Sequence, residues 1–273
     1  MTARILAYAK LNLFLEVLGR REDGFHDIRS LVQTIDLADR IAISPGTGIS
    51  VACDLELNGP NIVETAMRDL LEEKRSRVGV GIHIEKRIPM GAGLGGGSSD
   101  AAATLAAVNQ LVSPVLPRSA LLKLAESIGA DVALFLTGGC LRVVERGDLE
   151  ETLPTRHECY VILVPSIHCS TREIYSHWRP GDTPTTAETL GRNDLYPAAV
   201  RLQPQLQSFH DAIVGIGGSY SGMTGSGSGF FAAFSDWSEA LEARETLARQ
   251  LPSCRVYCCQ PTSTGFADEG DEA

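Results

Sequence analysis

Residues Pro89 to Asp100 read Pro-Met-Gly-Ala-Gly-Leu-Gly-Gly-Gly-Ser-Ser-Asp and lead straight into an alanine-rich run. Glycine has no Cβ, so successive backbone N–H groups can turn toward one point and approach a ligand closely. A helix starting after the loop adds unpaired N–H groups and a partial positive charge. Together these favour a phosphate or another small anion. Ser98 and Ser99 carry hydroxyls suited to phosphate oxygens or Mg²⁺, and with Asp100 they are equally suited to helix N-capping. A purely structural turn seldom needs so many glycines followed by two hydroxyls.

Two more stretches have types and spacing that could do chemistry. Asp23-Gly24 signals a turn, and the next residues, Phe25-His26, set a stacking ring beside a hydrogen-bonding one. That pair suits a nucleobase, one ring stacking and the other reading an edge; core packing is the plainer use of Phe25. Gly225 to Gly229 form a second glycine cluster, readable as a ligand loop or as a bare hairpin or bulge.

The elements that must hold these stretches follow from periodicity. Tyr8, Lys10, Asn12 and Phe14 alternate with Ala9, Leu11, Leu13 and Leu15, the pattern of a strand with one purely apolar face. Val78 to Ile84 alternates in the same way. Asn61 to Lys74 has helical spacing, and Asp100 to Leu111 forms the helix after the glycine loop. A further helix over Ser119 to Ile128 stops at Gly129, a good C-terminal cap. Leu141 to Val144, Tyr160 to Val164 and Phe230 to Phe234 read as strands, Asn193 to Gln207 and Ser238 to Leu251 as helices. Pro180 to Glu188 reads as a loop, and Asp268 to Glu272 as a frayed acidic tail. The pattern changes near Pro154, which divides the chain into residues 1–153 and 154–273. No repeat of solenoid or propeller period occurs.

The chain has 273 residues, 44% hydrophobic and 21% charged, an ordinary globular composition. Its net charge of −10 argues against broad nucleic-acid binding, though a local cradle can still take an anionic substrate. No segment has the length and apolarity of a membrane span, and no secretory leader is recognisable, so a soluble cytoplasmic protein is expected. Seven scattered cysteines suit reduced thiols better than disulfides or a metal cluster. No protein-derived metal site is expected.

Gly91, Gly93 and Gly96 fit the dinucleotide pattern G-x-G-x-x-G, but Ser113 to Arg118 supplies neither the strand nor the acidic residue that a Rossmann unit requires. No Gly-Lys pair exists for a Walker loop, and neither His-Arg-Asp nor Asp-Phe-Gly occurs. With those excluded, the stretch Pro89-Met90-Gly91-Ala92-Gly93-Leu94-Gly95-Gly96-Gly97-Ser98-Ser99 resembles the phosphate loop of the GHMP small-molecule kinase superfamily. Ala9 to Leu15 with Gly19 to His26, and Met223 to Phe230, narrow the resemblance to the 4-diphosphocytidyl-2-C-methyl-D-erythritol kinase family, over roughly residues 7 to 260. The N-terminal block is the specific one, since many superfamily members share the central loop.

The resemblance implies an α+β fold of two domains, an N-terminal one like ribosomal protein S5 and a C-terminal ferredoxin-like one, with the active site in the cleft between them. It implies ATP with Mg²⁺ and phosphorylation of a hydroxyl of the cytidyl diphosphate alcohol, in a monomer or weak homodimer. Lys10 and Asp131 would face that hydroxyl, Asp131 accepting or orienting its proton and Lys10 steadying the transferring group. Asn12, Phe25, His26 and Tyr175 would hold the substrate, Phe25 standing where relatives usually have Tyr. Gly225, Ser226 and Gly227 would lie near its diphosphate, and Asn61 near the adenine, although helix capping explains Asn61 almost as well. Asn193-Asp194-Leu195 would be chiefly structural. Arg172 stands where the family commonly has Pro, which loosens the turn before Tyr175. Members acting on mevalonate, phosphomevalonate or homoserine share the cradle but need no cytosine clamp, so Gly24-Phe25-His26 counts against them.

Overall fold

The computed structural model describes residues 2–55, 61–182 and 188–270. In chain order the first unit contains β1 (Ala3–Arg20), β2 (His26–Gly46), β3 (Ile49–Cys53), α1 (Ile62–Glu73), β4 (Gly79–Glu85), α2 (Gly96–Leu111), α3 (Arg118–Ile128), α4 (Ala130–Thr137), β5 (Cys140–Glu145) and β6 (Asp148–Leu153). The second contains β7 (Cys159–Val164), α5 (Thr171–His177), α6 (Tyr196–Leu202), α7 (Leu206–Gly215), β8 (Tyr220–Met223), β9 (Phe230–Phe234), α8 (Trp237–Gln250) and β10 (Arg255–Cys259), and β11 (Phe266–Asp268) follows it.

The first sheet runs β11-β1-β2-β4-β3, with β5 and β6 branching from β2. The second runs β10-β7-β9-β8 with every pairing antiparallel, the order of a β-α-β-β-α-β unit. The α+β architecture in two sheets is therefore as expected. β11 lies beyond the second unit in sequence yet pairs with β1, Ile5 opposite Asp268. A single cut at 153/154 thus leaves its last strand with the wrong neighbours. The expected tail is corrected in the same way: Asp268 is fixed in a strand by its hydrogen bonds, and residues 271–273 lie outside the described residues, as do residues 183–187 of the expected loop.

β1 was expected to show one apolar face. It is buried from Ile5 to Val17 on both faces, because the first sheet's helices cover one side and the second unit the other. Register shifts at Tyr8/Ala9 and Asn12/Phe14 bracket Lys10 and Asn12; such bulges locally re-aim side chains. The helix expected from Asp100 begins at Gly96 instead, capped by left-handed Gly95 at φ 76°. The N-terminal amides are thus brought forward into the glycine run. Gly129 is extended at φ 172° rather than left-handed, and the apolar stretch after it forms α4. Pro204 cannot continue the hydrogen-bond ladder, and the helix expected over Asn193 to Gln207 divides into α6 and α7 around it.

Candidate active site

The two units enclose a cleft of about 510 Å³, within the usual range for a small-molecule site. Pro89 to Ser98 form one wall, Lys10, Asn12 and Asp131 line it as well, and Tyr175, Gly225 and Ser226 approach from the second unit.

The phosphate loop is held by its carbonyls. Lys10 N donates to Leu94 O at 3.0 Å, Ser228 N to Gly91 O at 3.3 Å and Gly229 N to Ala92 O at 3.2 Å. A trans peptide sets its N–H opposite its C=O, so the N–H groups of Gly93 and Gly95 turn away from these partners. Gly91, Gly93 and Gly95 all have φ near +70°, where a side chain would be strained. A Cβ on Gly93 would sit 2.3 Å from Thr224 O, and one on Gly225 3.0 Å from Gly93 O. The two glycine clusters pack backbone on backbone.

Period-2 geometry puts Lys10 and Asn12 on the same side of β1. Lys10 Nζ donates to Asn12 Oδ1 at 2.5 Å, and Asn12 Nδ2 donates to Ser30 Oγ at 2.9 Å. The Asn12 N–H donates to Thr224 Oγ1 at 2.9 Å, tying β1 to the second loop. Lys10 is only 5% exposed. Burial lowers its pKa, while the Asp131 carboxylate opposes that shift. Asp131 stands in the first turn of α4, where the helix dipole favours a carboxylate. A buried ammonium facing a carboxylate across a cleft lined with amides can orient a hydroxyl and compensate phosphoryl charge.

The aromatic group assembles from two distant segments, and of its three rings Tyr175 lines the cleft while His26 and Trp178 stand outside the lining. The His26 ring lies 5.1 Å from Tyr175 and 5.7 Å from Trp178, centroid to centroid. Burial, then the Arg20 charge, lower the His26 pKa, favouring the neutral ring with one donor and one acceptor. Burial, then Asp131, raise that of Tyr175. Ser170 caps α5 by accepting from Glu173 N, Arg172 sits in its first turn, where proline would also fit, and Tyr175 lines the cleft. Phe25 stands apart from this group, 54% exposed, with the Arg146 guanidinium 3.9 Å above its ring.

Several expected residues lie elsewhere. Ser99 is fully buried and donates through Oγ to Tyr8 O at 2.6 Å, so its hydroxyl serves packing and only Ser98 reaches the cleft. Asn61 caps α1, accepting from Val63 N at 2.9 Å; its neighbour Ile62 lines the cleft instead. Gly227 turns the second loop without lining the cleft. Asn193 Nδ2 donates to Met223 O at 2.7 Å and Gly225 O at 2.8 Å, clipping that loop in place.

Residues that the motifs did not mark also converge here. Lys86 lines the cleft and bridges Asp39 and Asp100. Burial disfavours its charge, but the two carboxylates outweigh it and raise its pKa. Asp39 Oδ1 also accepts from Ile88 N at 2.7 Å, anchoring the chain as it enters the loop. Arg146, and Thr171 at 2.8 Å from Ser226 Oγ, complete the rim. Long sequence separation hides these residues from any motif.

Residues 61–139 match the model of the GHMP kinases N terminal domain. A 4-diphosphocytidyl-2-C-methyl-D-erythritol kinase of Syntrophomonas wolfei is 36% identical over 262 residues, 88% of this chain and 92% of its own length. A crystal structure of a 4-(cytidine 5'-diphospho)-2C-methyl-D-erythritol kinase superposes with a TM-score of 0.82 at 33% identity, covering 96% of this chain and 99% of that one. A homoserine kinase from Cytophaga hutchinsonii shares the fold at a TM-score of 0.75 and 20% identity, over 98% of this chain and 97% of its own. Among the described residues no helix is long and apolar enough to cross a membrane.

Proposed function

Because the chain belongs to the family of 4-diphosphocytidyl-2-C-methyl-D-erythritol kinases, we propose a division of labour for its cleft in that reaction. The protein transfers a phosphoryl group from ATP to the 2-hydroxyl of 4-diphosphocytidyl-2-C-methyl-D-erythritol, giving the 2-phosphate and ADP in the methylerythritol phosphate route to isoprenoid precursors. The units 1–153 and 154–273 are read as the ribosomal-protein-S5-like and ferredoxin-like domains, with β11 returned to the first.

Asp131 orients the attacking hydroxyl and takes its proton as the new P–O bond forms. Lys10 faces Asp131 across the cleft and offsets charge on the transferring group. The amides of the loop and of the α2 N-terminus hold the polyphosphate. His26 and Tyr175 hold the cytosine, and the second glycine cluster flanks the diphosphate.

Mg²⁺ fits this donor set. It prefers oxygen ligands and retains several waters, so substrate phosphates plus one or two protein oxygens suffice. Ser98 and Asp131 are the cleft residues that would hold it, and it would neutralise charge on the phosphate oxygens. The observation that carries the reading is the Lys10–Asn12 pair fixed at 2.5 Å beside Asp131, at the junction of both glycine clusters. The test is ADP release with the cytidyl alcohol, its CMP-free analogue, homoserine and mevalonate. Turnover confined to the cytidyl alcohol is expected, and equal turnover with homoserine refutes the reading.

A further inference from the structure

The His26 ring is gripped by two rings from a single short segment. Tyr175 lies on α5 and Trp178 is its C-cap, with Trp178 N donating to Tyr175 O at 3.3 Å. The planes differ: Tyr175 meets the imidazole at 38° and Trp178 meets it nearly edge-on at 83°. Contacts in two orientations oppose both a ring flip and a swing away, which one stacking partner alone would allow. Trp178 is itself half-buried against the second unit's core, so it presents a fixed wall. Trp178 and His26 both stand outside the residues that line the cleft, whereas Tyr175 is one of them, and direct contact with substrate is not required of Trp178.

The geometry points to Trp178 as a positioning residue for base recognition, acting through His26. It sets the direction in which the imidazole offers its donor and acceptor to a pyrimidine edge. This rests on the cytidyl reading of the cleft and adds to it a residue that neither motif contains. Loss of an aromatic pair corresponds to roughly a two- to tenfold change in binding.

The experiment is a double-mutant cycle with an optical readout. Trp178→Leu is expected to raise KM for the cytidyl alcohol roughly two- to tenfold, leaving kcat and KM for ATP unchanged, and Trp178→Phe is expected to restore most of the loss. In a His26→Ala background Trp178→Leu should add nothing. The chain has two tryptophans, Trp178 and Trp237, so a Trp237→Phe variant makes Trp178 the sole indole. Its emission should change on adding CDP. An undiminished Trp178→Leu effect without His26, or an equal rise in KM for ATP, overturns the proposal. CDP that binds by calorimetry while Trp178 emission stays silent overturns it alone. Failure of CDP to bind the parent protein overturns the cytidyl reading with it.

Discussion

Replacing Gly93 by Ala places a methyl group where the two glycine clusters meet. The new Cβ would lie 2.3 Å from Thr224 O, 3.1 Å from Thr224 C and 3.3 Å from Gly227 O. No flexible side chain can yield there, so backbone must shift. The residue would also keep φ near +74°, which costs an L side chain about 1–2 kcal/mol, and overpacking adds about 1–3 kcal/mol. The sum of ~2–5 kcal/mol lowers Tm by roughly 5–15 °C for a chain of this size. It should also raise KM for ATP, because parting the clusters swings the Gly93 and Gly95 amides out of line. Gly97→Ala is the internal comparison. It lies in the first turn of α2, and its Cβ would meet only Ile62 Cγ2 at 3.7 Å. That variant should keep the parent's stability or gain up to about 1 kcal/mol of helix preference, whatever it does to nucleotide approach. Thermal melts followed by steady-state kinetics decide the matter. A Gly93→Ala protein melting within about 2 °C of the parent, or a Gly97→Ala protein equally destabilised, refutes the packing argument.

Asp131→Asn should fold normally and lose kcat by roughly 10²–10⁴-fold with KM for ATP little changed; near-normal turnover removes its assigned role. His26→Ala should raise KM for the cytidyl alcohol far more than for ATP. Since burial and Arg20 hold the His26 pKa below its ordinary 6.5, the parent's KM for that substrate should rise only as pH falls through the lowered value, and a rise beginning above 6.5 contradicts this. The lowered Lys10 pKa acts at the opposite end. The protonated amine is the working form, so kcat/KM should fall as pH rises through a value below the ordinary 10.5. Lys10→Arg, whatever its residual rate, should lose that alkaline limb, and an unmoved limb assigns it to another group.

How much was legible depended on whether the chemistry lay in contiguous residues. The glycine run, its following helix and the Lys10 strand were readable because close approach to phosphate demands glycine, and alternation marks a strand. Ser99 misled because the capping preference of serine is the same whether or not its hydroxyl faces a ligand; only the fold shows it turned to Tyr8. Asp131 was reachable through the family resemblance alone, because α4 is short and apolar nearly throughout, leaving no amphipathic period to detect. Trp178 and Lys86 carried no signal of their own, since each acquires its role from partners more than a dozen residues away. The same holds for β11, whose three residues say nothing of β1 until both are placed.

That last pairing has a bearing on how the protein is made. β1 leaves the ribosome well before its outer neighbour, Phe266–Asp268. Roughly 250 residues must be translated in between, which at typical rates takes about 12–50 s. For that interval the nascent first sheet presents an open rim of amides and carbonyls, the kind of edge that recruits other strands. A chaperone acting on this polypeptide would find its task there, and a truncation that removes β11 would weaken the sheet built on β1.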